Sequence, residues 1–167
     1  MKLMGKTMDE IAYTYFDTVS KERAMELMTM CTDHENDYIR RHGGVLMPHL
    51  QETLQILHQK YFLAIVSNCQ QGYIEAFLEY HQLGAYFDDL LDFGSTHQVK
   101  GENIKIVVKR NQLAQAYYVG DVEGDRRAAE MAGIPFIHAA YGYGKIDDAA
   151  YRINAIAELP GLMEQLV

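Results

Sequence analysis

The stretch YYVGDVEGDRRAAEMAGIP, Tyr117 to Pro135, sets two carboxylates, Asp121 and Asp125, four residues apart where an apolar run gives way to a polar, alanine-rich one. Two more candidates stand at similar junctions. Ser67-Asn68 closes the apolar run YFLAIVS (61–67), and Lys100-Gly101 precedes a helical pattern that begins at Glu102. A hydroxyl, an ammonium and two carboxylates are complementary to a metal-bound phosphate. The Ser67 hydroxyl and the amides opening the next helix can donate to phosphoryl oxygens, and Lys100 can neutralise charge. One or two carboxylates suffice to hold a largely hydrated Mg²⁺. Gly120, just before Asp121, lets the backbone approach closely. Taken singly, each residue has a plainer explanation: Asp125 as a first-turn carboxylate, Ser67-Asn68 as a capping turn, Lys100 as a surface lysine. Their ordered combination is what points to phosphate.

The elements that must position these groups fall into two parts. From Thr7 to about His42, apolar residues recur at steps of three and four (Met8, Ile11, Ala12, Tyr15, Phe16, then Ala24, Met25, Met28, Cys31), which predicts two helices. Ser20 is the expected N-cap of the second, and Gly43-Gly44 its stop, giving an αα-hairpin. From Val45 onward, short apolar runs alternate with amphipathic stretches, the pattern of βα units around a mostly parallel sheet. Helices are expected near 50–59, 72–80, 102–110 and 124–131, and strands at 61–67, 90–93, 116–119 and 134–139. The segment 147–167 shows two short helical patterns interrupted by Pro160-Gly161. Buried parallel strands present ligands at their C-terminal edges, which is where Ser67 and Asp121 fall.

Composition narrows the class. Hydrophobic residues at 49% and charged ones at 23% place the chain among folded globular proteins, and 167 residues fit one main core. A formal net charge of -8 works against nucleic acid and anionic membranes as partners, so an anionic substrate needs a locally positive site. Cys31 and Cys69 form no CxxC motif, consistent with reduced cytoplasmic thiols. The start, MKLMGKTMDE, has no apolar leader core, and the run Tyr61 to Val66 is too short to span a bilayer. The seven histidines show no metal-ligand spacing, though His138 could line the crevice, and the Met25, Met28, Met30 stripe reads as packing. GYG at 142–144 lacks the rest of a dinucleotide fingerprint and reads as a turn. A receiver domain would carry its acidic pair at the first strand end, not the last.

The order LAIVSN (63–68), VKGEN (99–103), YVGDVEGD (118–125), followed by AAEMAGIPFIHAAYGYG (128–144), resembles motifs two, three and four of the haloacid dehalogenase-like (HAD) hydrolases. The helical opening MGKTMDEIAYTYF resembles the later part of the small α-helical cap of phosphoglycolate phosphatase-like members, with the return to the core at Leu46-Met47-Pro48. There the family commonly has a glycine after the proline; here it is His49. The resemblance implies an α/β, doubly wound, mostly parallel Rossmann-like core at 45–167 with a partial cap at 1–44. It implies Mg²⁺-dependent hydrolysis of a small phosphorylated metabolite. Ser67 and Asn68 would hold the phosphoryl group, Lys100 would stabilise it in catalysis beside Ser67, and Asp121 and Asp125 would serve the metal, Asp125 also supporting Asp121 or Lys100.

One part of the family pattern has no counterpart. The nucleophile and the acid-base residue belong to an Asp-x-Asp on the family's first strand, and no Asp-x-Asp occurs in this sequence. The chain therefore resembles a member without that strand, the loop after it and the start of the cap. Because that strand lies between the Ser67 and Gly120 strands in the family, two facing edges are expected to be left unpaired, inviting a substitute strand, a homodimer or another partner chain. The expectation is negligible turnover from this chain alone, with a non-catalytic remnant that binds phosphate or a partner as the alternative.

Overall fold

The computed structural model describes residues 6–167; residues 1–5, which the cap expectation includes, lie outside the described residues. Helix α1 (Met8–Tyr15) is opened by a capping box in which Thr7 and Glu10 satisfy each other's backbone amides. Ser20 caps α2 (Lys21–His42) by accepting from the Arg23 amide, and Gly43, at φ +61°, ends it. The hairpin closes over Ala12, Ala24 and Met28, with Ile11, Phe16 and Met25 around them. Met28 is thus packing, as its spacing suggests, while Met30 is exposed.

The remainder alternates strands and helices: α3 (Leu50–His58), β1 (Ala64–Ser67), α4 (Tyr73–His81), β2 (Asp89–Asp92), α5 (Phe93–Thr96), α6 (Lys100–Arg110), β3 (Tyr118–Gly120), α7 (Glu123–Ala132), β4 (Phe136–Ala139), β5 (Tyr151–Ile153) and α8 (Leu159–Leu166). All pairings are parallel. Strand alternation sorts the side chains into layers. Ala64 and Val66 face Ile104, Val107 and Ala128 of α6 and α7, whereas Leu63 and Ile65 face Leu54, Ile74 and Leu78 of α3 and α4. On β4, Ile137 packs toward Leu57 and Leu159, and Phe136 toward Ala129. Helices therefore cover both faces, the doubly wound arrangement expected.

The sheet is in two pieces, β1-β2 and β3-β4-β5. β1 and β3 do not pair, and an apolar cavity of about 250 Å³ lined by Ala64, Val66, Ile104, Val107, Tyr117 and Val119 separates them. The Tyr118 hydroxyl crosses the gap to donate to the Val66 carbonyl at 2.8 Å.

Several elements differ from the sequence expectation. Lys100 is the first residue of α6 rather than part of the preceding loop, since Val99 takes the extended N-cap conformation. The 147–167 segment holds a strand, β5, and one α-helix that Pro160 helps to start instead of interrupt. Proline fits the first helical turn, where its missing N–H has no partner to lose. The strands are also shorter than their apolar runs, because Tyr61 to Leu63 and Ala116 to Tyr117 lie before the ladders begin.

Candidate active site

Ser67 ends β1, and its hydroxyl accepts from the Cys69 amide at 3.3 Å, turning the chain into the loop that leads to α4. Gly72, at φ +87°, completes that turn in a conformation favourable only to glycine. Burial pushes the Cys69 thiol up to about 11, so it is a neutral wall of this loop rather than a nucleophile.

Lys100 is aimed by its helix start. Asn103, fully buried, accepts from the Thr96 hydroxyl at 2.8 Å and donates to the carbonyls of Asp92 and Gln98, fixing the turn from which α6 begins. Lys100 Nζ then lies 2.5 Å from Asp125 Oδ1, with both side chains largely buried. Burial by itself would lower the Lys100 amine, but the Tyr118 hydroxyl and the Asp125 carboxylate beside it outweigh that and hold its pKa above the usual lysine value. Tyr118 is in turn pushed up to about 12 by burial, partly countered by Lys100.

Asp125 has both oxygens engaged. Oδ1 meets Lys100, and Oδ2 accepts from the amides of Asp121 at 3.0 Å and Val122 at 3.2 Å. It is a brace for the β3–α7 turn and for Lys100, which is the supporting role the sequence reading gave it beside the metal role. Gly120 permits this closeness, since a Cβ there would come within 2.5 Å of the Asp125 side chain. Asp121 is braced from the other side: its Oδ2 accepts from the Tyr143 amide at 2.7 Å, and Gly142 and Gly144 leave no room for a Cβ against it. The sequence reads GYG as a turn; the turn itself lies at Ala140-Tyr141, and GYG follows it as a bend whose position serves Asp121.

Ser67, Asn68, Lys100, Asp121 and Asp125 all line one cavity of about 460 Å³ at the C-terminal edges of β1 and β3. Its opposite wall comes from the hairpin, through Met8, Ile11, Met28, Thr32 and Glu35. Glu35 and its neighbours were not singled out in the sequence, because nothing in a helical repeat shows which turn will face a distant strand end. His138, by contrast, is absent from the cavity lining; it is 1% exposed on β4 and both ring nitrogens lack a hydrogen-bond partner among the described residues. Among the described residues no group of three or more His, Cys, Asp or Glu side chains is arranged to hold a metal. Asp121 is a hard oxygen donor lining the cavity, of the kind that suits a mostly hydrated Mg²⁺.

The α2 helix is tied to the site loop directly. Asn36 donates to the Gln71 carbonyl at 2.8 Å, and the buried Gln70 amide donates to Glu35 Oε2 and Asn36 Oδ1, both at 3.0 Å. Arg40 pairs with Glu79 at 3.0 Å and the Gly44 amide donates to His81. No helix of the described residues is long and apolar enough to cross a membrane.

The chain is similar to several known proteins. The phosphoglycolate phosphatase of Vibrio vulnificus strain YJ016 is 30% identical over 134 residues, covering 75% of this chain and 59% of the relative. That of Escherichia coli K12 is 26% identical over 132 residues, covering 76% and 52%. The chain thus spans little more than half the length of these curated relatives. Among solved structures, a haloacid dehalogenase-like hydrolase from Bacteroides fragilis superposes with a TM-score of 0.79 at 22% identity, covering 95% of this chain and 80% of that one. A haloacid dehalogenase-like family protein from Streptococcus pneumoniae gives 0.77 at 20% identity, covering 97% and 79%. The family model for haloacid dehalogenase-like hydrolases matches residues 1–139, and the chain belongs to that family.

Proposed function

We propose that this chain is the phosphate-gripping and metal-gripping part of a Mg²⁺-dependent phosphomonoester hydrolase, with residues 1–44 as a partial cap and 45–167 as the core. The observation that carries the reading is the convergence of Ser67, Asn68, Lys100 and Asp121 on one cavity. In this reading the Ser67 hydroxyl and Asn68 hold phosphoryl oxygens, and the Lys100 ammonium, kept charged by its surroundings, neutralises the charge that gathers on them in the transition state. Asp121 would hold a magnesium ion, which when bound would supply further neutralisation of the phosphate. Asp125 acts through others, orienting Lys100 and the Asp121 amide.

Hydrolysis by covalent catalysis needs a carboxylate free to attack phosphorus. The cavity carboxylates are Glu35, Asp121 and Asp125; the last is bonded to Lys100, and Asp121 is the metal donor. Phosphate-monoester hydrolysis requires up to ~10²¹-fold acceleration. Negligible turnover is therefore proposed for this chain alone, the nucleophile being carried by a strand that fits the gap between β1 and β3. The alternative is a non-catalytic remnant that binds phosphate or a partner chain, and the same open edges favour it. The reading takes a small phosphorylated metabolite as substrate, a cytoplasmic setting, and self-association through those edges.

The test is p-nitrophenyl phosphate hydrolysis with Mg²⁺, comparing this chain with a form that carries an apolar strand ending in Asp-x-Asp ahead of Met1. Turnover in the longer form alone supports the hydrolase reading. None in either form supports the remnant, and turnover by the short chain contradicts the missing-nucleophile mechanism.

A further inference from the structure

Glu35 projects from the second helix of the hairpin to the cavity that holds Ser67, Lys100 and Asp121. It is exposed, yet it is positioned: its Oε2 accepts at 3.0 Å from Gln70, a buried side chain only three residues beyond Ser67. Asn36, the next residue, clamps the same loop through the Gln71 carbonyl. Its charge also reaches the Tyr73 phenol, another lining residue, where burial and then Glu35 raise the pKa. Met8, Ile11 and Met28 add apolar surface to the same wall of the cavity.

The positive groups of the cavity are Lys6 and Lys100. Lys100 is already committed to Asp125 and, in the proposed function, to phosphate. Lys6 is held by no hydrogen bond or ion pair among the described residues, so an anion pairing with it must first order a flexible side chain. The pre-positioned charge on the hairpin wall of the cavity is negative, on a chain of net charge -8.

We propose that Glu35 is a specificity-determining residue that selects phosphate monoesters whose organic part carries a hydrogen-bond donor, above all an ammonium, over those that carry a carboxylate. This rests on the reading of Ser67, Lys100 and Asp121 as the phosphate site. The preference departs from the acidic substrate that the relatives' name describes.

Isothermal titration of the full chain with Mg²⁺ tests it, using inorganic phosphate, 2-aminoethyl phosphate and 2-phosphoglycolate. One charge-assisted hydrogen bond corresponds to about tenfold in Kd, so aminoethyl phosphate should bind about tenfold more tightly than phosphoglycolate. Glu35→Gln should bring that ratio close to one. Asn36→Ala, which loosens the same seating but keeps the carboxylate, should retain a preference for the amine. Equal or tighter binding of phosphoglycolate, or an unchanged ratio in Glu35→Gln, overturns the inference, as does an Asn36→Ala ratio that collapses alike. If inorganic phosphate fails to bind the wild-type chain, the phosphate-site reading falls, and this inference with it.

Discussion

The buried ion pair of Lys100 with Asp125 is the tightest coupling in the cavity. Removing one partner of such a pair leaves the other charge buried and uncompensated, which costs about 3–5 kcal/mol. Lys100→Met should therefore lower stability by about 3 kcal/mol in urea unfolding. Lys100→Met/Asp125→Asn should recover much of that loss, because an asparagine oxygen can still accept from the amides of Asp121 and Val122. A second prediction follows from the raised pKa values. Lys100 and Tyr118 both bind their protons more tightly folded than unfolded. Each then contributes stability that is fully present below its unfolded pKa and is lost as pH rises through its folded value. The midpoint of thermal unfolding should fall steeply from about pH 10 to 12. For Tyr118 alone the loss is about 3 kcal/mol, since it rises from 10.0 to about 12. Tyr118→Phe should be less stable at pH 8, having lost its bond to Val66, and should show a shallower alkaline fall.

At the scale of elements, legibility followed the strength of local signals. Ser20 and Gly43 fix the ends of α2 through backbone amides, so the hairpin could be read directly; the Thr7/Glu10 box that opens α1 emerged only in the structure. The strand ends bearing Ser67 and Gly120-Asp121 were legible because an apolar run stops abruptly at a polar residue. β5 was not, since Tyr151 to Ile153 is too short to show a period and owes its conformation to pairing with β4. α5 is a single turn that Asp92 caps, again below the length at which periodicity speaks. His49 shows how an odd residue acquires meaning in the structure. It occupies the left-handed region, φ +64°, at the N-cap of α3, where the family's usual glycine has no steric cost and histidine does. His49→Gly should raise stability by up to about 1 kcal/mol, read as a higher urea midpoint with unchanged slope.

Across the whole molecule, two half-sheets share their helical cover but not their strand edges. The cavity between them is apolar and is bridged by the Tyr118 hydroxyl. Ser67 and Asp121 could be located in the sequence because each closes an apolar run, whereas Lys100 stands at a helix start and was singled out only by its order between them. The sequence did not show which hairpin turn would cover them, because Glu35 and Gln70 lie 35 residues apart and meet only through the packing of α2 on the site loop. The account depends on the cavity of Ser67, Lys100 and Asp121 being a real phosphate site. Phosphorus-31 NMR titration of the chain with inorganic phosphate, with and without Mg²⁺, tests that most directly, alongside Ser67→Ala and Asp121→Asn. Saturable, Mg²⁺-dependent binding that weakens about tenfold or more in both variants is the predicted result. Phosphate binding that neither variant disturbs, or no binding by the wild-type chain, would contradict it.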